Sequence, residues 1–275
     1  MNTLDRGKIL TEALPYIQRY NGKTVVINCG GSMMDSKELR GAVASDVMML
    51  RLVGIQVVLV HGMGVEVLSA VEQSGVPVTY ENGQPCLTEA VVEKLQQLLC
   101  GTVNKNMVGT LNQTGGKAIG LCGVDGSMLT VKGEQLGKVD VTILQDAMAQ
   151  GYTPVVAAVA QNADNGDICC VDADIVASKL AVALKAEKLI QLVSCEDLIR
   201  DPAAPESPIP VLELSRVPAL IRSGVIPAKL VTKANVSVEA VRSGVKSVTL
   251  LDGSVPHAIL LELLSDEGIG TMLTH

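Results

Sequence analysis

Residues 24–31 read TVVINCGG, a short apolar run that closes on two glycines. This pattern predicts a buried strand that leads into a tight turn. Ser36 then stands where it can cap a helix over residues 37–53. The same order returns at 56–73, where a predicted strand, the turn His61-Gly62-Met63-Gly64 and a predicted helix follow one another. Repeated strand, turn and helix units predict a mainly parallel sheet with helices on both faces.

The alternation continues through the rest of the chain. Further strands are predicted at residues 118–121, 154–159, 189–194 and 247–251. Helices are predicted at residues 4–19, where Pro15 must end or kink the segment, and at 88–112, 141–149, 173–185, 212–222, 234–243 and 256–264. The fold class expected is α/β, a three-layer αβα sandwich around a central, mainly parallel sheet.

Three turn dipeptides interrupt this pattern and predict hairpin-like patches that cover one end of the sheet. They are Asn82-Gly83, Asp125-Gly126 and Asn165-Gly166, in patches near 78–87, 126–140 and 160–170. Residues 201–210 hold four prolines in ten positions and are expected to form a loop. We place a boundary near residue 175, between an N-terminal lobe, 1–175, and a C-terminal lobe, 176–275.

Composition excludes several functional classes. The net charge is −7 and no run of Lys or Arg occurs, so no electrostatic footprint for nucleic acid or an anionic membrane is present. The sequence has no signal-peptide pattern and no long uncharged apolar segment, and we expect a cytoplasmic protein. Seven cysteines without a C-x-x-C pair, and with few histidines, predict no metal site of their own.

The two glycine turns are the first candidates for a binding site. Ligands of open α/β sheets bind beyond the carboxyl ends of the strands, where glycine N–H groups and helix N-termini face the cleft. No P-loop motif occurs, and Val67 stands where a dinucleotide motif would continue the Gly62-x-Gly64 pattern with a third glycine. Each turn alone is a weak signal, since glycine after a strand is common.

The ordered set of motifs is more specific than either turn. It comprises the segments Thr24–Met34, Val53–Gly64, Gly101–Lys105, Gly115–Leu121, Asp172–Ile190 and Asp252–Leu273. Together these segments resemble acetylglutamate kinase of the amino-acid kinase family, over roughly residues 4–273. The resemblance implies the amino-acid kinase fold and the phosphorylation of the γ-carboxylate of N-acetylglutamate by ATP with Mg²⁺, a step of arginine biosynthesis. The metal is expected to be held through the phosphates.

The resemblance also implies roles for individual residues, because phosphoryl transfer between anions needs positioning, cations and N–H donors. The catalytic pair is expected to be Lys233, on the nucleotide side, and Asp174, which orients it. Phosphate and nucleotide binding is assigned to Gly30, Gly31, Ser32, Ser194 and Lys233. Substrate binding is assigned to Gly62, Met63, Gly64, Pro85, Cys170 and Asp172. The N-terminal lobe would hold the acidic substrate and form a dimer, and the C-terminal lobe would hold the nucleotide.

Several of these positions depart from the family pattern. Asn28 stands where the family has its first catalytic lysine, and Pro85 stands where it has the substrate arginine. Met63 replaces a glycine, and Cys170 and Asp172 replace asparagines. The sequence therefore leaves three readings open: an active acetylglutamate kinase, a catalytically impaired member that senses ligands or regulates an active kinase, and a kinase for another small acid.

The chain ends suggest a further ligand. In arginine-inhibited members of the family, an N-terminal helix joins dimers into a ring, and arginine binds between that helix and a C-terminal segment. The matching positions here are Tyr16 in the helix and Glu267 and Gly270 in the segment. The resemblance thus implies an arginine effector and a homodimer or homohexamer.

Overall fold

A computed structural model describes residues 8, 11–30, 36–81, 84–133, 135–195, 198–201, 204–266 and 268–275. The α-helices are α1 (Leu14–Tyr20), α2 (Lys37–Leu52), α3 (Val65–Gln73), α4 (Glu89–Gln96), α5 (Asn104–Gln113), α6 (Thr142–Ala149), α7 (Ala173–Ala183), α8 (Val217–Arg222), α9 (Val231–Arg242) and α10 (Ala258–Leu264). A π-helix, Gln97–Val103, joins α4 to α5, and short 3₁₀ turns occur at Asp125–Ser127 and Ala228–Leu230.

The strands are β1 (Thr24–Cys29), β2 (Gln56–His61), β3 (Tyr80–Glu81), β4 (Gln84–Pro85), β5 (Ala118–Cys122), β6 (Leu129–Lys132), β7 (Gln135–Val139), β8 (Thr153–Ala157), β9 (Val159–Asn162), β10 (Ile168–Cys170), β11 (Lys188–Val193), β12 (Arg200–Asp201), β13 (Ala204–Pro208), β14 (Val211–Glu213), β15 (Ser247–Asp252) and β16 (Thr271–Thr274). The main sheet has eight strands in the order β14-β16-β15-β11-β1-β2-β8-β5. Its pairs from β15 to β5 are parallel, and β16 pairs antiparallel with β15.

Alternation along the central strands divides the core between the two faces of the sheet. Val25 and Ile27 of β1 pack in one apolar cluster with α2, whereas Val26 packs in the other with α7. Because side chains alternate along a strand, Asn28 lies on the same face as Val26, toward α7. The three-layer arrangement and the mainly parallel sheet predicted from the sequence are confirmed.

The smaller sheets correspond to the predicted hairpin patches. Strands β9 and β10 pair antiparallel, and Gly166 between them has φ +80°. Strands β3 and β4 also pair antiparallel, around residues 82–83, which lie outside the described residues. The turn between β6 and β7 was predicted wrongly, because it lies at Gly133, with φ +60°, whereas Asp125-Gly126 belongs to a 3₁₀ turn before β6.

Other corrections concern the C-terminal third. The predicted helix at 212–222 is wrong at its start, because Val211–Glu213 forms β14 and the helix begins at Val217. The expected loop at 201–210 contains the short antiparallel pair β12 and β13. Strand β16 has no counterpart among the predicted elements. Among the described residues, no helix is both long and apolar enough to cross a membrane.

Candidate active site

The two glycine turns follow β1 and β2, which are neighbours in the sheet, so both lie at its carboxyl edge. A Cβ atom on Gly62 would lie 2.6 Å from the Cβ of Ala173, at the start of α7, so the second turn packs directly on this helix. A Cβ on Gly30 would lie 3.1 Å from the carbonyl oxygen of Leu192 in β11. Gly64 caps the N-terminus of α3. Gly31 and Ser32 lie outside the described residues.

Asp174 and Lys233 form an ion pair at this edge, although 59 positions separate them in the chain. Asp174 occupies the first turn of α7, and Lys233 lies near the start of α9. Their side chains are only 18% and 12% exposed, so water screens the pair less than a surface ion pair. The two predicted catalytic residues therefore contact each other, and Asp174 fixes the position of the ammonium group.

Asn28 joins this pair from the end of β1. Its Nδ2 donates hydrogen bonds of 2.7 Å to Asp174 Oδ1 and 2.7 Å to Gln191 Oε1, and the residue is fully buried. One carboxylate oxygen of Asp174 thus accepts from both Asn28 and Lys233. An amide nitrogen carries two hydrogens, and here both are engaged within the protein.

Gln191 is the member of this network that the sequence analysis missed. It lies directly opposite Asn28 in the parallel pair of β1 and β11, and its Oε1 also accepts from Lys233 Nζ at 3.3 Å. The side chain is fully buried, and neither Gln191 Nε2 nor Asn28 Oδ1 has a partner among the described residues. Such unpaired buried groups are costly, and they concentrate at functional sites. A glutamine inside the apolar run Leu189–Val193 was the available signal.

Asp172 has a structural role next to this network. Its side chain caps α7 and accepts a hydrogen bond of 2.7 Å from the backbone N–H of Asp174. Burial, together with the charge of Asp174, raises the pKa of the Asp172 carboxyl above its ordinary value. The site thus contains two carboxyl groups close to one ammonium, and a negatively charged ligand would favour protonation of Asp172.

The other residues expected on the substrate side lie on separate elements. Met63 packs against the apolar cluster that includes Val67 of α3, and Pro85 is half-buried on β4, opposite Tyr80. Cys170 ends β10, where burial raises the pKa of its thiol to about 12. Cys170 is therefore protonated at neutral pH and acts as a weak polar group, not as an anion.

A buried histidine directly precedes the second glycine turn. His61, at the end of β2, is 1% exposed, and its Nε2 lies 3.1 Å from the amide nitrogen of Asn104 in α5. Asn104 also donates to the carbonyl oxygen of Val155 at 2.9 Å, so it links α5 to β8. Burial, reinforced by the charge of Lys105, lowers the pKa of His61 to about 4. His61 is neutral at physiological pH and serves as a structural contact.

The remaining predicted residues lie on other segments of the chain. Ser194 is exposed and directly follows β11. Tyr16 of α1 donates a hydrogen bond to Asp266, so the N-terminal helix contacts the C-terminal segment. Gly270 is buried, and a Cβ there would lie 2.1 Å from the carbonyl oxygen of Leu250, so only glycine fits. Glu267 lies outside the described residues.

A carboxyl edge of the sheet with two glycine turns and a lysine held by an aspartate, on a three-layer α/β fold, agrees with the sequence comparison. A sequence model of the amino acid kinase family matches residues 23–252. The chain belongs to the amino acid kinase family.

Within this family the chain is similar to acetylglutamate kinases. It is 41% identical over 283 residues to the acetylglutamate kinase of Clostridium beijerinckii, and the match covers 99% of each chain. It is 36% identical over 278 residues to that of Synechococcus elongatus, covering 98% of this chain and 92% of the relative.

Solved structures share the fold at lower identity. N-acetylglutamate synthase from Neisseria gonorrhoeae, complexed with coenzyme A and N-acetyl-glutamate, superposes with a TM-score of 0.83 at 23% identity. That match covers 98% of this chain but 63% of the synthase. Carbamate kinase from Giardia superposes with a TM-score of 0.65 at 16% identity, covering 92% of this chain and 99% of the kinase.

Proposed function

We propose that this protein is an ATP-dependent kinase that phosphorylates the γ-carboxylate of N-acetylglutamate in arginine biosynthesis. The observation that carries the proposal is the end-to-end similarity to acetylglutamate kinases, 41% identity with 99% of both chains covered. The contact between Lys233 and Asp174 at the carboxyl edge of the sheet supports it. The same similarity favours N-acetylglutamate over another small acid, and an active kinase over a regulatory subunit.

Lys233 and Asp174 are assigned the catalytic roles. Lys233 would neutralise charge on the transferred phosphoryl group, and Asp174 would hold the ammonium in place. Gly30, Gly31, Ser32 and Ser194 would bind the nucleotide phosphates. Gly30 directly follows β1 at the carboxyl edge of the sheet, where ligands of such sheets bind, and a Cβ there would come within 3.1 Å of the carbonyl oxygen of Leu192. The Mg²⁺ that accompanies ATP would be held through the phosphates.

The acceptor would lie on the N-terminal lobe, residues 1–175, and the nucleotide on the C-terminal lobe, residues 176–275. Gly62, Met63 and Gly64 would face the acceptor from the second turn, with Pro85, Cys170 and Asp172 around it. Pro85 offers no charged donor to a carboxylate. We therefore expect a weaker hold on N-acetylglutamate than an arginine at this position would give, and a correspondingly higher KM.

Asn28 lowers the rate that we expect, because its side chain carries no positive charge. Both of its donor hydrogens are engaged, with Asp174 and Gln191, so it helps to hold Asp174 and adds no charge next to the phosphoryl group. Lys233 would then be the protein cation of this network. A second cation at such a transition state is worth about 10³ or more in rate, so slow turnover is expected.

A hydroxylamine trapping assay tests the proposal. The purified protein is incubated with MgATP and N-acetylglutamate, and the acyl phosphate is captured as its hydroxamate. We expect product that depends on N-acetylglutamate and falls by about 10³ in the Lys233→Met variant. If the wild-type protein gives no more product than a reaction without N-acetylglutamate, the proposed activity is wrong.

Arginine and oligomeric state belong to the same proposal. The contact between Tyr16 and Asp266 joins the two segments between which arginine would bind, together with Glu267 and Gly270. N-acetylglutamate synthase from Neisseria gonorrhoeae has been solved in complex with coenzyme A and L-arginine, with a TM-score of 0.76 to this chain. Arginine should raise the melting temperature of the wild type but not of Tyr16→Phe, since a ligand of the native state stabilises it. Light scattering should give the mass of a homodimer or homohexamer.

A further inference from the structure

A cavity of about 300 Å³ lies on the edge of the sheet opposite to the candidate active site. It is bounded by the C-terminal half of α2, the end of α5 and the loops that precede β5 and β8. Lys117 and Thr153 line it, and they stand at the amino ends of these two parallel strands, whereas Gly30 and Gly62 follow the carboxyl ends of β1 and β2. The volume is at the lower end of the range for small-molecule sites.

The wall of the cavity is mostly apolar and is shaped by a glycine. Val47, Met48 and Leu111 contribute aliphatic surface. A Cβ on Gly116 would lie 2.8 Å from the carbonyl oxygen of Leu111 and 3.7 Å from the sulfur of Met48, so a larger residue there would disturb this wall. The cavity can therefore accept a short hydrocarbon chain.

Two cations face this apolar wall. Arg51 is half-buried and Lys117 is exposed, and neither side chain forms an ion pair or hydrogen bond with any residue that the structure describes. No carboxylate occurs among the described residues that line the cavity. Burial without a counter-ion lowers the pKa of Arg51, so an incoming anion would compensate a desolvated charge.

A hydroxyl group completes the polar part of the lining. Thr153 is 4% exposed, lines the cavity and has no side-chain hydrogen bond to a described residue. Its backbone N–H is already used by the carbonyl oxygen of Lys117, at 2.7 Å. The hydroxyl is therefore available to donate a hydrogen bond to an oxygen of a bound ligand.

We propose that this cavity binds a small organic monocarboxylate, with its carboxylate at Arg51 and Lys117 and its hydrocarbon chain against Met48 and Leu111. A planar guanidinium group suits a carboxylate, because two parallel hydrogen bonds can form. The simplest other explanation is that Arg51 only complements the C-terminal dipole of α2, where it occupies the last turn. Arg222 occupies the last turn of α8 in the same way, is exposed and lines none of this cavity, so it is the matched control.

Hexanoate is the test ligand, and hexanamide is its neutral counterpart. The full-length protein is titrated by calorimetry at constant ionic strength, with and without saturating MgATP and N-acetylglutamate. We expect a Kd of roughly 1 mM for hexanoate, unchanged by the other ligands, and much weaker binding of hexanamide. At about ten times the Kd, hexanoate should raise the melting temperature by roughly 2–5 °C.

Variants and methyl NMR locate the site. Arg51→Met should weaken hexanoate binding by about tenfold or more, and the exposed change Lys117→Gln should weaken it severalfold, whereas Arg222→Met should not. The Met48 methyl signal should shift with hexanoate, and the Met63 signal, beside the candidate active site, should stay. The proposal is overturned if hexanoate does not bind, if hexanamide binds equally well, or if Lys117→Gln and Arg51→Met both retain wild-type affinity. None of these results depends on kinase activity.

Discussion

Replacing Asn28 with lysine restores a cation at the end of β1. We expect Asn28→Lys to raise kcat for N-acetylglutamate phosphorylation by about 10² to 10³. The reason is that the Asn28 side chain is neutral and already donates both of its amide hydrogens, to Asp174 and Gln191. A lysine carries its nitrogen farther from the backbone, with three donors and a full charge. Since each tenfold in rate corresponds to about 1.36 kcal/mol, the gain is roughly 3–4 kcal/mol of transition-state stabilisation.

The same change should destabilise the ligand-free protein. Asp174 already forms an ion pair with Lys233, and position 28 is fully buried, so a second ammonium group there lacks a full counter-charge. We estimate a cost of roughly 2 kcal/mol in the free energy of unfolding, or a fall of about 4–8 °C in melting temperature. Bound MgATP should restore most of the lost stability, because the ATP phosphates supply negative charge next to the new ammonium group.

Steady-state hydroxamate assays and thermal unfolding with and without MgATP measure both effects. Asn28→Met is the matched control, because its side chain is long and unbranched but uncharged, and it should lower stability without raising kcat. The reasoning is refuted if Asn28→Lys folds and binds MgATP yet turns over no faster than Asn28→Met. Position 28 would then lie too far from the transferred group to act on it.

Three further predictions concern the buried charged and titratable groups. Lys233→Met should lower kcat by about 10³ while the exposed change Lys246→Met leaves it unaltered, and equal kcat values for the two variants would exclude Lys233 from catalysis. Burial holds the pKa of His61 at about 4, below its ordinary 6.5, so between these pH values the unfolded chain binds a proton that the folded protein does not. The free energy of unfolding should therefore fall by about 2–3 kcal/mol between pH 7 and 4.5, and urea denaturation of His61→Gln should lack this contribution. Lys188 and Glu262 form an ion pair at 2.5 Å, with side chains only 5% and 6% exposed. Lys188→Met alone should lower the free energy of unfolding by about 3–5 kcal/mol, because it leaves a buried carboxylate unpaired. Adding Glu262→Leu should recover most of this loss in the same urea denaturation assay.

The parallel core was predictable because its signals are local and repeated. The run at β1 is buried on both faces, so it is almost continuously apolar, and the glycine that follows it marks its end. β14 and β16 were harder to predict from the sequence, since each is only three or four residues long. Each is stabilised by pairing with its neighbours in the sheet and has no distinctive sequence pattern. The start of the predicted helix at 212 fails for this reason. Strands this short, at the sheet edge or next to it, are specified by tertiary contacts.

The candidate site was predictable only in part. The contact between Asp174 and Lys233 depends on two helices that meet in space, and it was expected only through the resemblance to acetylglutamate kinase. Gln191 was missed because a single polar residue in an apolar strand carries no spacing or motif. Its role emerges once the register sets it opposite Asn28. No local pattern encodes that pairing, because 163 positions separate the two residues.

The order of strands at the sheet edge also governs how the chain folds as it is synthesised. β14 hydrogen-bonds to β16, which lies between it and β15, so residues 211–213 lack their strand partner until residues 271–274 have been synthesised. We expect this part of the sheet to form last, after the helices and β15 that follow β14 in the chain. Nascent chains stalled before β16 should accordingly leave this edge open to chaperones and proteases.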